Sequence, residues 1–121
     1  MPEKARMCFL GLKVIAKDYL SVLCPKLKSY HLKCIFLFSL EGRDPALWNN
    51  EQLEESFDYL LSKVMDCVET RNCPNFWFSE INMFKDFRGM DLLKLLKKLT
   101  KIRKFPAKYI ENFYGDDEIK V

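Results

Sequence analysis

Glycine is scarce in this chain: four in 121 residues, at Gly11, Gly42, Gly89 and Gly115. None falls in a GxGxxG or GxxxxGK arrangement, so the loops that cradle nucleotide phosphates on bare backbone are not encoded. Histidine occurs once and no CxxC pair exists, whereas a structural zinc site needs four ligands in tight local pairs. Cys24, His31 and Cys34, and separately Cys67 and Cys73, are spaced suggestively but fall short of that set, and no metal or other cofactor is expected. The single histidine also has no acidic neighbour in sequence, which argues against nucleophilic catalysis. No Asp/Glu-x-Asp pair sits on a strand-like segment to hold two magnesium ions. Asp116, Asp117 and Glu118 cluster in a tail that reads as disordered. The longest uncharged apolar run, Cys34 to Leu40, is far too short to span a bilayer. Lys13 interrupts the only apolar stretch near the start too early for a secretion signal.

What the chain does have is hydrophobic mass and helical periodicity. Apolar residues make up 49% of it, enough for one domain with a core. Ten phenylalanines and few glycines or prolines favour helices over sheets. The five cysteines are odd in number and lie mostly in apolar helical contexts, so reduced thiols in an intracellular protein are expected. The net charge of +3 permits contact with phosphates or acidic lipids without requiring it.

Four main helices follow from spacing. The first covers about Arg6 to Leu23, with Phe9, Leu12, Ala16, Leu20 and Leu23 on its stripe. Lys13 and Lys17 lie one turn apart on its flank, and Pro25 ends it. The second opens at Ser29, a good N-cap residue, and its apolar residues cover nearly the whole circumference, which predicts burial on all sides. Breakers at Glu41 to Pro45 stop it, and Trp48 follows as an anchor. Asn49 with Gln52 reads as a capping box for a third helix, about Asn50 to Thr70, striped by Leu53, Phe57, Leu60, Leu61, Val64 and Val68. After a loop at Arg71 to Asn75, an aromatic segment from Phe76 to Phe84 is expected to bury itself. The fourth helix covers about Asp91 to Lys104. Its Lys94, Lys97, Lys98, Lys101 and Lys104 share one face opposite Leu92, Leu95, Leu96, Leu99 and Ile102. That basic face is either a solvated outer surface or a docking surface for phosphate, acidic lipid or a partner. A short turn over Ala107 to Phe113 ends a single all-α bundle spanning about residues 6–113, with frayed residues at 1–5 and 115–121.

Certain short motifs carry a resemblance. Cys8-x3-Leu12-Lys13, Leu27-x-Ser29-Tyr30-His31-Leu32-Lys33, Trp48, Arg71-Asn-Cys73-Pro74-Asn-Phe76-Trp77-Phe78 and Asn82-Met-Phe84 together resemble the C-terminal helical half of the male-abnormal-21-like proteins. That family includes cyclic GMP–AMP synthase. The resemblance covers about residues 8 to 105. It implies an all-α, helix-hairpin-helix-like lobe that packs beside a nucleotidyltransferase lobe and belongs to innate sensing. It further implies that Lys13 and Ser29 contact nucleotide phosphates and that Tyr30 stacks on a base. The alternative is that these three residues only cap and pack the helix pair. The family's Gly-Ser turn, strand carboxylates and His/Cys-rich zinc loop have no counterpart here, so the chain is not expected to be an enzyme on its own. It is expected to bind nucleotide, nucleic acid or a protein partner, or to self-associate through the face that would meet the other lobe. The alternative is a fragment of an active nucleotidyltransferase whose catalytic lobe lies outside this chain.

Overall fold

The computed structural model describes residues 3–50, 53–106 and 108–109. The order is helix α1 (Glu3–Ile15), a π-helical turn (Ala16–Leu20), α2 (Ser29–Glu41), α3 (Pro45–Asn50), α4 (Leu53–Thr70) and α5 (Gly89–Lys104). No strand occurs among the described residues, and an isolated antiparallel bridge joins Pro74 to Asn82. The all-α expectation holds. Among the described residues no helix is long and apolar enough to cross a membrane.

Helix α4 organises the bundle, packing against α1, α2 and α5. Its buried stripe is Phe57, Leu60, Leu61, Val64 and Val68, as the spacing predicts. It meets Ala5, Cys8, Leu12 and Ile15 of α1 and Leu92, Leu95, Leu99 and Ile102 of α5. Burying each such leucine or isoleucine contributes about 1.5–3 kcal/mol. Arg103, which falls on the apolar side of α5, is held there by α4: Nε and Nη2 donate to the two Asp58 carboxylate oxygens at 2.8 and 3.0 Å. That pair raises the Arg103 pKa. Both partners keep over a third of their side-chain surface exposed, so water screens the pair. Arg103→Met should cost about 0.5–1 kcal/mol, read as a small drop in the urea midpoint.

The structure corrects several boundaries. Helix α1 begins at Glu3, not near Arg6, because Ala5 continues the stripe of Cys8 and Leu12 one turn back and is fully buried. Its far end widens into a π turn, where Ser21 N–H donates to the Ala16 carbonyl at 2.8 Å. The Glu41–Pro45 breakers are followed by a helix and not by a loop alone: Asp44 Oδ1 accepts from Ala46 N–H at 2.9 Å and Pro45 fills the first helical position. Trp48 is the anchor expected, fully buried between Phe36 and Tyr59 with the Arg43 guanidinium over its ring. Helix α5 starts two residues early, at Gly89. The Asn49–Gln52 capping box, residues 1–2, Ala107, and everything from Ile110 onward lie outside the residues whose side chains are described.

Two burial expectations fail. Helix α2 is not buried on every side: Tyr30 and Lys33 are exposed and Leu37, Phe38 and Leu40 only half-buried, because among the described residues no helix packs over that flank, and Phe76 of the loop after α4 covers only Phe38. The aromatic segment buries Phe84 and half-buries Phe76 and Met83, but leaves Trp77, Phe78 and Ile81 exposed. Asn75 turns the chain outward at that point, its Oδ1 accepting from the Trp77 and Phe78 N–H groups at 2.9 and 3.1 Å.

Candidate functional site

The start of α2 is built differently from its sequence. Ser29 is already helical, and Lys28, with extended backbone (φ −118°, ψ 167°), holds the N-cap position. Lysine has no side-chain oxygen to accept from the first turn, and its backbone carbonyl takes the His31 N–H at 3.1 Å. The reciprocal half of the cap comes instead from His31, whose Nδ1 accepts the Lys28 N–H at 2.9 Å. This is the task a Glu or Gln performs three residues into a capping box. The His31 ring is buried, stacks on Tyr30 at 4.2 Å and packs edge-on to Phe87 at 5.1 Å. Burial holds its pKa below the ordinary histidine value. An accepting Nδ1 leaves the proton on Nε2 and keeps the ring neutral.

Freed from capping, Ser29 is exposed, and among the described residues its hydroxyl has no hydrogen-bond partner. It lines a groove of about 470 Å³ between α1, the π turn and the start of α2. The floor is apolar, from Leu10, Val14, Leu27 and Leu32, and the rim carries Lys13, Lys17 and Lys28. Among the described residues, no carboxylate lines it. Lys13 stands with Nζ 5.6 Å from the Phe9 ring centroid. The structure therefore brings together two of the three residues singled out from sequence, Lys13 and Ser29. Tyr30 is not among the lining residues: it sits one position further along α2, 56% exposed, with its ring against His31.

Lys17 and Lys28 were legible as charges but not as rim residues. The available signal was the four-residue step from Lys13 to Lys17, which places both on one helical flank. Lys94, Lys97, Lys101 and Lys104 are exposed on α5, as the face pattern predicts, and Lys98 is half-buried with Nζ 5.3 Å from the Tyr19 ring centroid.

The cysteines are all free thiols. Burial pushes Cys8 up to about 12 and raises Cys24 as well. Cys73 is raised by its contact with the Cys67 thiol and by burial, while the same contact lowers Cys67. Among the described residues, no three or more His, Cys, Asp or Glu side chains are grouped to hold a metal ion.

The motif string that builds this groove is not isolated. Residues 4–108 match the Mab-21 protein HhH/H2TH-like domain. The chain belongs to the Mab-21 family. It is 30% identical over 76 residues to cyclic GMP-AMP synthase-like receptor 3 of Stylophora pistillata, covering 63% of this chain and 22% of that protein. It is 34% identical over 79 residues to cyclic GMP-AMP synthase-like receptor 1 of Drosophila melanogaster, covering 60% and 21%. A protein mab-21-like of Drosophila pseudoobscura pseudoobscura is 26% identical over 82 residues, covering 66% and 22%. The matched part thus spans about a fifth of the length of these curated relatives. Among the described residues of this Mab-21 domain the regular elements are all helices, in keeping with an HhH/H2TH-like domain.

Proposed function

We propose that this Mab-21 domain is a non-catalytic, intracellular ligand-binding lobe whose Lys13–Ser29 groove holds the phosphates of a nucleotide. One observation carries the reading: three lysines and an uncommitted serine hydroxyl ring one groove that, among the described residues, no carboxylate lines. Lys13, Lys17 and Lys28 supply mobile positive charge to phosphate oxygens, and the Ser29 hydroxyl adds a neutral donor at the same rim. Tyr30, next to Ser29 on α2 and 56% exposed, leaves the ring face turned away from His31 as a surface on which a base can stack.

The test is direct titration of the chain with ATP and with GTP. Binding should weaken about tenfold as salt rises from about 0.05 M to about 0.5 M, because exposed charges are screened over that range. Lys13→Ala and Lys28→Ala should each weaken binding by about fivefold to tenfold, the loss of one charge-assisted hydrogen bond at a wet site. Salt-insensitive binding, or no binding to either nucleotide, removes the reading.

A second reading has its own support. The chain spans only about a fifth of relatives named as cyclic GMP-AMP synthase-like receptors, and Trp77, Phe78 and Ile81 stand exposed on one loop. Both fit a lobe that packs against further polypeptide and forms part of an active nucleotidyltransferase. Reading the coding region upstream for a Gly-Ser turn and strand carboxylates tests it, and their absence sinks it.

A further inference from the structure

The outward face of α5 combines two properties that a merely solvated helix does not need. At about 100° per residue, Met90, Leu93, Lys94, Lys97, Lys101 and Lys104 fall within an arc of about 100°, and Phe105 follows as the C-cap of the helix. The opposite stripe, Leu92, Leu95, Leu99 and Ile102, is buried in the bundle, so it is this outer arc that meets the surroundings. Within the arc the four lysines are exposed, and so are the apolar side chains in it and at its end: Met90 is 63%, Leu93 46% and the C-cap Phe105 69% exposed. No ion pair among the described residues involves these lysines. Lys94, Lys97, Lys98 and Lys101 also form one wall of a groove of about 380 Å³, whose other wall is Asp18, Tyr19, Val22 and Leu23. Among the described residues Asp18 is the one carboxylate lining it, and Val22, on the same wall, is 75% exposed.

We infer that the outer face of α5, with the adjoining Val22 edge, is a docking surface for an anionic lipid bilayer. Charge complementarity identifies the class of partner, because an almost unopposed row of lysines fits a sheet of negative headgroups. The apolar side chains choose between polyanions. A duplex meets a lysine-rich surface mainly through its phosphates and takes apolar side chains only at thymine methyls or between unstacked base steps. The headgroup boundary of a bilayer accommodates both, with lysine stems lying along the apolar layer and their ammonium groups at the phosphates. The arc also lacks arginine, the side chain best matched to bidentate phosphate and base contacts in nucleic-acid readers. Docking here is peripheral. The stripe that would insert deeply in an amphipathic membrane helix is already used by the core.

Vesicle co-sedimentation of the whole chain tests this, with circular dichroism checking that each variant keeps its helical signal. The chain should sediment with phosphatidylcholine vesicles containing about one-third phosphatidylserine and stay in solution with phosphatidylcholine alone. Raising salt from about 0.1 M to about 0.5 M should release it. Reversing Lys94, Lys97 and Lys101 to Glu should lower the bound fraction at least about tenfold. Met90→Ser with Leu93→Ser should lower vesicle binding about threefold or more while leaving any binding to a DNA duplex unchanged. Equal binding to neutral vesicles, or an unaffected triple variant, overturns the proposal. If the Met90/Leu93 variant sediments like the parent and the chain binds duplex DNA as tightly as vesicles, the surface is a nucleic-acid one and the lipid assignment is wrong.

Discussion

Replacing His31 with alanine is expected to destabilise the domain by about 3 kcal/mol, the sum of a lost cap bond and a buried ring removed from an aromatic cluster. The substitution strips the acceptor from the Lys28 N–H and leaves a void among Tyr30, Phe84 and Phe87. His31→Gln separates the two losses: glutamine at this position can still accept from the N-cap N–H, so it should recover the capping share and not the packing share. The same residue sets a pH dependence. Its folded pKa lies below its unfolded value, chiefly because burial disfavours the charged ring. In that situation the unfolded chain binds the proton more readily than the folded one. The contribution is therefore complete above the ordinary histidine pKa, about 6.5, and is lost as pH falls from there through the folded value. His31 is the only histidine in the chain. A decline in the denaturation midpoint from about pH 7 to about pH 5.5 that disappears in His31→Gln assigns the effect to this ring, since carboxylates titrate lower. A decline of equal size in that variant would contradict the assignment.

Asn82→Ala is expected to cost a comparable amount, about 3 kcal/mol, from one small polar side chain. Its Oδ1 accepts from the Cys73 N–H at 2.8 Å and the Phe84 N–H at 2.9 Å, while Nδ2 donates to the Arg71 carbonyl at 2.9 Å. These three bonds close the loop that follows α4, where Arg71 adopts a left-handed conformation (φ 56°) and the Asn72 N–H returns to the Cys67 carbonyl. Alanine leaves part-buried backbone groups without partners, and the cost comes from their desolvation more than from the lost bonds. A fall in melting temperature of roughly 10 °C or more is expected. Asn82→Asp should do less harm, because both accepting contacts survive and the donor to Arg71 is lost. If Asp and Ala variants melt together, the accepting oxygen is not what holds the loop.

The residues explain which parts of this architecture could be read in advance. Helix α4 is legible because its core stripe obeys one period over 18 residues and its neighbours on three sides reward that period. The lysine arc of α5 is legible for the same reason seen from outside. The start of α2 was misread because side-chain chemistry favours Ser29 as a cap, whereas the backbone places Lys28 there and lets an imidazole do the accepting. No local pattern distinguishes a histidine used as an acceptor from one merely packed. The exposure of Trp77, Phe78 and Ile81 was equally hidden, since hydrophobicity says that a side chain would be stabilised by burial and not whether any surface is present to cover it. Lys13 and Ser29 meet across one groove because a π turn and a short connection bring α1 and α2 together. Residue identity marked both, but their meeting depends on contacts 16 positions apart in sequence, which periodicity within one helix does not encode.

The central claim is that nucleotide phosphates bind at the groove between α1 and the start of α2. A titration of the isotopically labelled chain with ATP, followed by amide chemical shifts, tests it most directly. The account predicts that the largest shifts fall at Lys13, Lys17, Lys28 and Ser29, and that Lys13→Ala moves the titration to about fivefold to tenfold higher nucleotide while leaving the remaining spectrum in place. Shifts concentrated on α5, or none at any amide up to millimolar nucleotide, would contradict it.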